Sequence, residues 1–317
     1  FTFDDHEPCS VSFNQIPWED VTAVIQSPGI PFDYPEPHPI TSIARNKNIP
    51  IITDINLLQH VFPDSQFVGV TGTNGKSTTV SLIGHVLKES RRLYGIGGNI
   101  GIPALSLTSL DKNHTYVLEL SSFQLEISKP LNLEVAAWLN ITPDHLDRHK
   151  TMQDYVAAKE RIFLNARHAV IGIDDEFSLQ VYHRLKENRK SVISISSIQA
   201  SDIYINEGII HDNNEPVIDL RLIEALQGSH NYQNAAVTYA VCKLLKVPVN
   251  QIRNAFCTFK GLSHRQEIVG RLKNIMFIND SKATNAEASV HAFNRFTSSA
   301  IYWIAGGALV FCLFALL

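Results

Sequence analysis

Cysteine is scarce in this 317-residue sequence: Cys9, Cys242, Cys257 and Cys312 stand far apart, and no two share a C-x-x-C spacing. A disulfide-stapled scaffold and a structural zinc site are therefore not indicated, and a reducing, cytoplasmic setting is the expectation. Charge is also sparse, at 18% of residues, and the 27 Lys+Arg are outnumbered by 31 Asp+Glu for a formal charge of −4. Without a basic excess, no nucleic-acid partner is expected. The 44% hydrophobic content excludes a disordered tail, and 16 Gly with 14 Pro exclude a collagen-like fibre. Internal repeats are absent, as is a charged leader followed by an apolar run. By length alone, about two domains are expected, each able to bury a core.

Both ends depart from an ordinary domain. The chain opens at Phe1, and residues 1–3, 16–25 and the turn Ser27-Pro28-Gly29-Ile30-Pro31 read as the later strands of a small α/β unit without its first strand. At the other end, none of the 22 residues after Arg295 is charged. Residues 300–305 (AIYWIA) followed by Gly306-Gly307 read as a buried strand and turn, which leaves an apolar tail over 308–317, shorter than a bilayer span of about 20 residues. Three readings of that tail stay open: a truncated or frame-shifted terminus, a membrane anchor, or an ordinary buried strand. Membrane contact is expected only through it.

Between the ends, strand-like and helix-like segments alternate, which is the βαβ pattern of a parallel sheet. Apolar runs at 67–70, 115–120, 134–141, 168–173 and 191–196 suit strands covered on both faces. Helices are expected over 76–89, 152–165, 230–245 and 249–258, and residues 202–212 alternate by twos around Glu207-Gly208 as a hairpin does. Lys260-Gly261-Leu262 marks a boundary.

The strongest local signal is FVGVTGTNGKSTT, residues 67–79, a strand running through a glycine turn into a helix. Successive backbone N–H groups and a helix N-terminus there present positive potential to a polyphosphate. Gly72 and Gly75 permit close backbone approach, Lys76 would reach the β- and γ-phosphates, and Ser77 or Thr78 would ligate Mg²⁺. Thr73 and Asn74 complete the loop. Val70 stands where the strict G-x-x-x-x-G-K-[ST] pattern begins, so the match is the shorter GTNGKS. ATP or GTP is implied, and the loop does not choose among ATPase, GTPase, kinase and ligase.

Other clusters bear on that choice. Glu119 ends a strand and either completes a Mg²⁺ shell in the same crevice or turns to solvent. NITPDHLDRHK gathers Asp144, His145, Asp147, Arg148 and His149 in one loop, where His145 is a candidate metal or substrate contact. Lys159 shares a helix face with Tyr155 and Ile162, so it points inward and needs a role or a partner. Asn231 and Asn234, three apart on one helix, suit the edge of a purine. Ser229 and Asp280 are equally ordinary capping residues.

Taken in order, SPGIP, GTNGKSTT, GGNIG, ELSSFQLE, NITPDHLDRH, YVAAKERIF, SHNYQNAA, LSHRQE and NDSKATN resemble the Mur ligase family. SPGIP and SSFQLE favour the member that adds D-glutamate. The resemblance implies an α/β enzyme with a central P-loop-type parallel-sheet ATPase domain at 61–261, a partial Rossmann-like domain for the uridine nucleotide at 1–60, and the start of a second Rossmann-like domain at 262–317. It also implies ATP and Mg²⁺ as cofactors, UDP-N-acetylmuramoyl-L-alanine and D-glutamate as substrates, and a monomer. Lys76 would stabilise the transferring phosphoryl group, with Ser77 and Glu119 on one Mg²⁺ and His145 and a carbamylated Lys159 at a second. Asn231 and Asn234 would address adenine, and Arg265 and Asp280 the rest of ATP. Ser27, Pro28, Gly29, Asn99 and Ser121 would contact the muramoyl nucleotide, and Lys282 and Thr284 would approach D-glutamate. The departures at both ends make little or no turnover the expectation for this chain. Alternatives are another Mur or folylpolyglutamate-type ligase, a non-catalytic nucleotide-binding remnant, and a P-loop kinase or GTPase.

Overall fold

The computed structural model describes residues 13–107, 114–188, 191–282, 293, 300–306 and 311–316. Among the described residues, two 3₁₀ turns (Phe13–Gln15 and Trp18–Asp20) precede β1 (Val24–Ile25), α1 (Pro39–Asn46) and β2 (Ile51–Ile52), and the two short strands pair in parallel. Next come α2 (Asp54–Val61), β3 (Gln66–Thr71), α3 (Lys76–Glu89), β4 (Tyr94–Gly98), β5 (Thr115–Glu119), α4 (Ser122–Ile127) and β6 (Asn132–Trp138). They are followed by α5 (Leu146–His149), α6 (Met152–Glu160), β7 (Asn165–Gly172), α7 (Glu176–Glu187) and β8 (Val192–Ser196). A meander of β9 (Ile203–Asn206), β10 (Ile209–Asp212) and β11 (Glu215–Asp219) leads to α8 (Ser229–Leu244) and α9 (Val249–Thr258). Last are β12 (Glu267–Leu272), β13 (Ile275–Asn279), β14 (Ile301–Gly306) and β15 (Phe311–Leu316).

The central sheet has the order β11-β10-β9-β8-β7-β6-β3-β5-β4. It is parallel from β4 to β9 and antiparallel at β9-β10-β11. Helices cover both faces. On one side Val68, Val70 and Val117 meet Val80, Ile83 and Leu87 of α3 and the buried run 235–242 of α8. On the other, Phe67, Tyr116, Leu118 and Trp138 meet Leu125, Tyr155, Ile162 and Val181. Covering both faces is why these strands read as unbroken apolar runs, with α3 burying residues at three- and four-residue spacing. The phosphate-loop strand β3 lies between β5 and β6, so its carboxyl end opens where the winding changes direction, the usual ligand crevice of such sheets.

Several boundaries differ from the sequence expectation. The helix expected over 152–165 stops at Glu160 and tightens into a 3₁₀ turn at Arg161–Phe163. Asn165 already pairs with Asn132 in the sheet, leaving no room for a further helical turn. The strand read at AIYWIA is present, but it is not buried: Tyr302, Trp303 and Ile304 are each more than half exposed. Part of the apolar tail, Phe311–Leu316, pairs antiparallel with both β13 and β14 and lies between them. No helix among the described residues is long and apolar enough to cross a membrane. The opening strand read at residues 1–3 lies outside the described residues.

Candidate active site

The loop between β3 and α3 is built on glycine geometry. Gly75 caps α3 with φ +85, and a Cβ there would run into the Asn234 side-chain amide, so only glycine serves. Asn140, just beyond β6, holds the loop from the side: its Oδ1 accepts the Asn74 N–H at 2.9 Å and its Nδ2 donates to the Asn74 carbonyl at 3.2 Å. Thr73 Oγ1 donates to the Thr142 carbonyl at 3.2 Å and accepts the Thr142 N–H at 3.1 Å, with the Tyr155 hydroxyl also 3.2 Å away.

At the first turn of α3, Ser77 Oγ donates to Glu119 Oε2 at 2.8 Å. Glu119 is only 3% exposed and sits in register with Val70 of β3 and Gly98 of β4. Its other oxygen accepts from Asn99 Nδ2 at 3.1 Å, while its carbonyl accepts the Asn99 N–H at 2.9 Å. Gly98, at φ +95, permits this closeness, since a Cβ would stand 2.5 Å from the Glu119 carbonyl oxygen. Glu119 therefore faces the crevice and not solvent. A hydroxyl and a buried carboxylate side by side form a hard oxygen donor set that fits Mg²⁺.

Two lysines converge on the same loop carbonyl. Lys76 Nζ donates to Gly72 at 2.9 Å and Thr73 at 2.8 Å, and Lys159 Nζ donates to Gly72 at 2.9 Å and lies 3.4 Å from Thr71 Oγ1. Lys159 is 1% exposed, and its nitrogen lies 4.9 Å from the centre of the Tyr155 ring. Burial, then repulsion from Lys76, holds its ammonium well below the ordinary lysine range. Burial lowers Lys76 as well, against the attraction of Glu119. His145 caps α5 at φ +53, with its Nε2 3.5 Å from Asp144 and its ring 5.0 Å from Phe123 and 6.2 Å from Tyr155. Among the described residues, no three His, Cys, Asp or Glu side chains gather as a metal site.

Beside the loop lies a cavity of about 610 Å³ lined by Asn74, Gly75, Thr78, Asn231, Asn234, Arg265 and Asp280. Asn231 Nδ2 donates to the Gln227 carbonyl at 3.0 Å, and Arg265 Nη2 reaches Ser77 Oγ at 3.4 Å. Asp280 is buried, accepts the Gln266 N–H at 3.0 Å, and is pushed up to about 6 by that burial. Asn140 of NITPDHLDRH lines the cavity too, so the fold brings residues from five separate motifs around one space. Ile223, Cys257 and Phe259 also line it, carry no motif and were not anticipated. Asn140 heads the NITPDHLDRHK cluster, but its role in holding the loop was not read from the sequence.

Other candidates lie apart from that cavity. Ser121 caps α4, its hydroxyl accepting the Gln124 N–H at 3.2 Å. Ser27, Pro28 and Gly29 form a turn closed by the Ile30 N–H to the Ser27 carbonyl at 3.0 Å. Lys282 is exposed, with its backbone N–H on His264, and Thr284 lies outside the described residues. Ser229 is the first residue of α8 and not its cap, the place of which Gly228 takes.

A doubly covered parallel sheet with this loop, carboxylate and cavity defines the class of P-loop nucleotide-binding α/β proteins. Residues 70–242 match the Mur ligase middle domain, and the chain belongs to the Mur ligase family. Relatives named UDP-N-acetylmuramoylalanine–D-glutamate ligase include that of Rhodospirillum rubrum, 45% identical over 301 residues, covering 92% of this chain and 63% of the relative. That of Rickettsia prowazekii is 41% identical over 296 residues, covering 92% and 64%. The chain thus spans less than two thirds of either relative's length. Among solved structures, MurF from Acinetobacter baumannii superposes with a TM-score of 0.63 at 18% identity, covering 78% of this chain and 57% of that one. UDP-N-acetylmuramate-alanine ligase MurC from Thermotoga maritima gives 0.60 at 20% identity, covering 81% and 60%, and MurF from Thermotoga maritima in complex with ADP gives 0.61 at 19%, covering 78% and 63%. These likenesses show the fold.

Proposed function

We propose that this chain carries the phosphoryl-transfer part of an ATP-dependent amide ligase that joins D-glutamate to UDP-N-acetylmuramoyl-L-alanine in peptidoglycan precursor synthesis. The observation that carries the reading is the pairing of Ser77 Oγ with buried Glu119 at 2.8 Å, beside two lysines on one loop carbonyl and a cavity lined by Asn231, Asn234, Arg265 and Asp280. The names of the relatives supply the substrates, and the ADP-bound neighbour supports the nucleotide. In this reading residues 1–60, 61–261 and 262–317 are parts of the nucleotide-sugar, ATP and amino-acid units of a cytoplasmic monomer.

The substrate carboxylate attacks the γ-phosphorus of ATP, giving an acyl phosphate and ADP. The amine of D-glutamate then displaces phosphate and forms the amide. Lys76 offsets charge on the transferring phosphoryl oxygens, and the loop N–H groups with the start of α3 orient the phosphates. Ser77 and Glu119 would hold one Mg²⁺, which supplies charge neutralisation when bound. His145 and Lys159 would serve a second ion. An ammonium repels a cation, so Lys159 fits that role as a carbamate, the anionic oxygen donor formed with CO₂. Its lowered basicity favours the neutral amine that carbamylation requires.

The test is phosphate release from ATP and Mg²⁺ with UDP-N-acetylmuramoyl-L-alanine, with and without D-glutamate. Turnover is expected to be small, and whatever release occurs is expected to require both substrates, with ATP still bound in their absence. Release with the nucleotide sugar replaced by a folate, or release independent of D-glutamate, would overturn the assignment.

A further inference from the structure

Arg148 stands on α5 between His145 and His149, yet no step above uses it. Its side chain is 9% exposed and reaches two separate parts of the fold, the 27–34 turn and α4. Nη1 donates to the Tyr34 carbonyl at 2.8 Å, and Nη2 donates to the Ile30 carbonyl at 3.2 Å. Nη2 also stands 3.2 Å from Glu126 Oε2 of α4 as an ion pair, and the Phe123 ring lies 5.4 Å from the guanidinium carbon. Its Nε is buried with no hydrogen-bond partner. An arginine fork held this way fixes geometry more than a flexible ammonium would.

The contacts continue in both directions. The Ile30 carbonyl also accepts from Gln26 Nε2 at 3.2 Å, and Gln26 Oε1 accepts from Thr41 Oγ1 of α1 at 2.8 Å. Gln26 and Thr41 are buried. On the far side, His149 Nε2 meets Ser122 Oγ at 2.8 Å, and the His145 carbonyl accepts the N–H groups of both Arg148 and His149 at 3.0 Å. A path of buried and partly buried hydrogen bonds therefore runs from α1 through the 27–34 turn to α5, and α5 cannot shift without moving His145.

We propose that Arg148 is a positioning residue that transmits the arrangement of the 27–34 turn to His145, so that engaging a nucleotide sugar at the turn is coupled to assembling the centre around Lys159. The mechanical link stands on the hydrogen bonds. The identity of the ligand at the turn rests on the function proposed above.

The test is hydrogen exchange read by mass spectrometry on the chain, on Arg148→Lys and on Glu126→Gln, each with and without UDP-N-acetylmuramoyl-L-alanine. Without ligand, Arg148→Lys is expected to speed exchange about tenfold in both 27–34 and 142–150, the scale of a lost charged hydrogen bond, and to leave α3 and α8 unchanged. With ligand, the parent and Glu126→Gln gain protection in both segments, and Arg148→Lys gains it only in 27–34. Equal transfer of protection in Arg148→Lys and the parent overturns the proposal, as does loosening of one segment alone. A merely structural arginine would loosen the fold without this loss of transfer. Should the parent show no ligand protection at the turn, the substrate reading falls, and the ligand-free comparison still decides the link. If Arg148→Lys exposes α3 as well, Gln26→Leu, which breaks the path at the Ile30 carbonyl, must loosen 142–150 together with the turn, and no effect there overturns the proposal.

Discussion

Replacing Lys159 with methionine separates stability from function at the centre of this fold. The Lys159 nitrogen is buried and meets neutral groups, namely the Gly72 carbonyl, the Thr71 hydroxyl and the Tyr155 ring. An ion buried this way costs several kcal/mol, partly offset by a charged hydrogen bond worth about 1.5–3 kcal/mol. Methionine fills similar space without that cost. No buried acceptor is orphaned, because the Gly72 carbonyl keeps Lys76 at 2.9 Å and the Thr71 hydroxyl still donates to Leu120 at 2.8 Å. The expected result is a gain of about 1–3 kcal/mol in unfolding free energy, or roughly 2–4 °C in Tm per kcal/mol. The sign with pH is set by the lowered lysine. Between its folded value and the ordinary 10.5, the unfolded chain binds more protons, so the parent gains stability as pH rises through that window. The advantage of Lys159→Met should therefore narrow toward alkaline pH, and any phosphate release by the parent should be lost. Urea denaturation near pH 7 and near pH 10 measures both. A loss of more than about 1 kcal/mol near neutral pH, or a gap that does not narrow, refutes the reasoning.

Carbamylation makes a companion prediction: bicarbonate should stabilise the parent but not Lys159→Met, with the mass of one CO₂ on the Lys159 peptide under non-acidic conditions. Gly75→Ala, with φ +85 and Asn234 in the way, should lose about 1–3 kcal/mol and abolish ADP binding in calorimetry. Gly101→Ala, at φ +63 in open space, should lose only about 1–2 kcal/mol and keep ADP binding. Burial, then Arg148 and His145, lowers His149 to about 4 from 6.5, so the folded state binds fewer protons between those values. Stability should fall as pH drops through that window, and His149→Gln should flatten the profile. Asp280 shifts the other way, up to about 6 from 3.8, so its contribution is lost as pH rises through that range and Asp280→Asn should remove the decline.

Much of the architecture was legible because its causes are local. Both faces of the central strands are covered, so each reads as an unbroken apolar run, and the hairpin at Glu207-Gly208 follows from two residues at positive φ. The inward face of Lys159 followed from helical spacing alone. Short elements were less visible. β4 is mostly glycine, with little β-forming side chain, and α6 ended early because the sheet claimed Asn165.

The sequence by itself determined the phosphate loop, since strand, glycine turn, lysine and hydroxyl are consecutive and their geometry is short-range. It also determined the family, through an ordered set of motifs. Only the tertiary structure decided which motifs meet. Ser77 and Glu119 are 42 residues apart, and Arg265 is 188 residues from Ser77, yet sheet order and the return of the chain after α9 place all three within hydrogen-bonding range. The path through Arg148 was likewise invisible, because it ends on the backbone carbonyls of Ile30 and Tyr34, and every residue type carries a carbonyl.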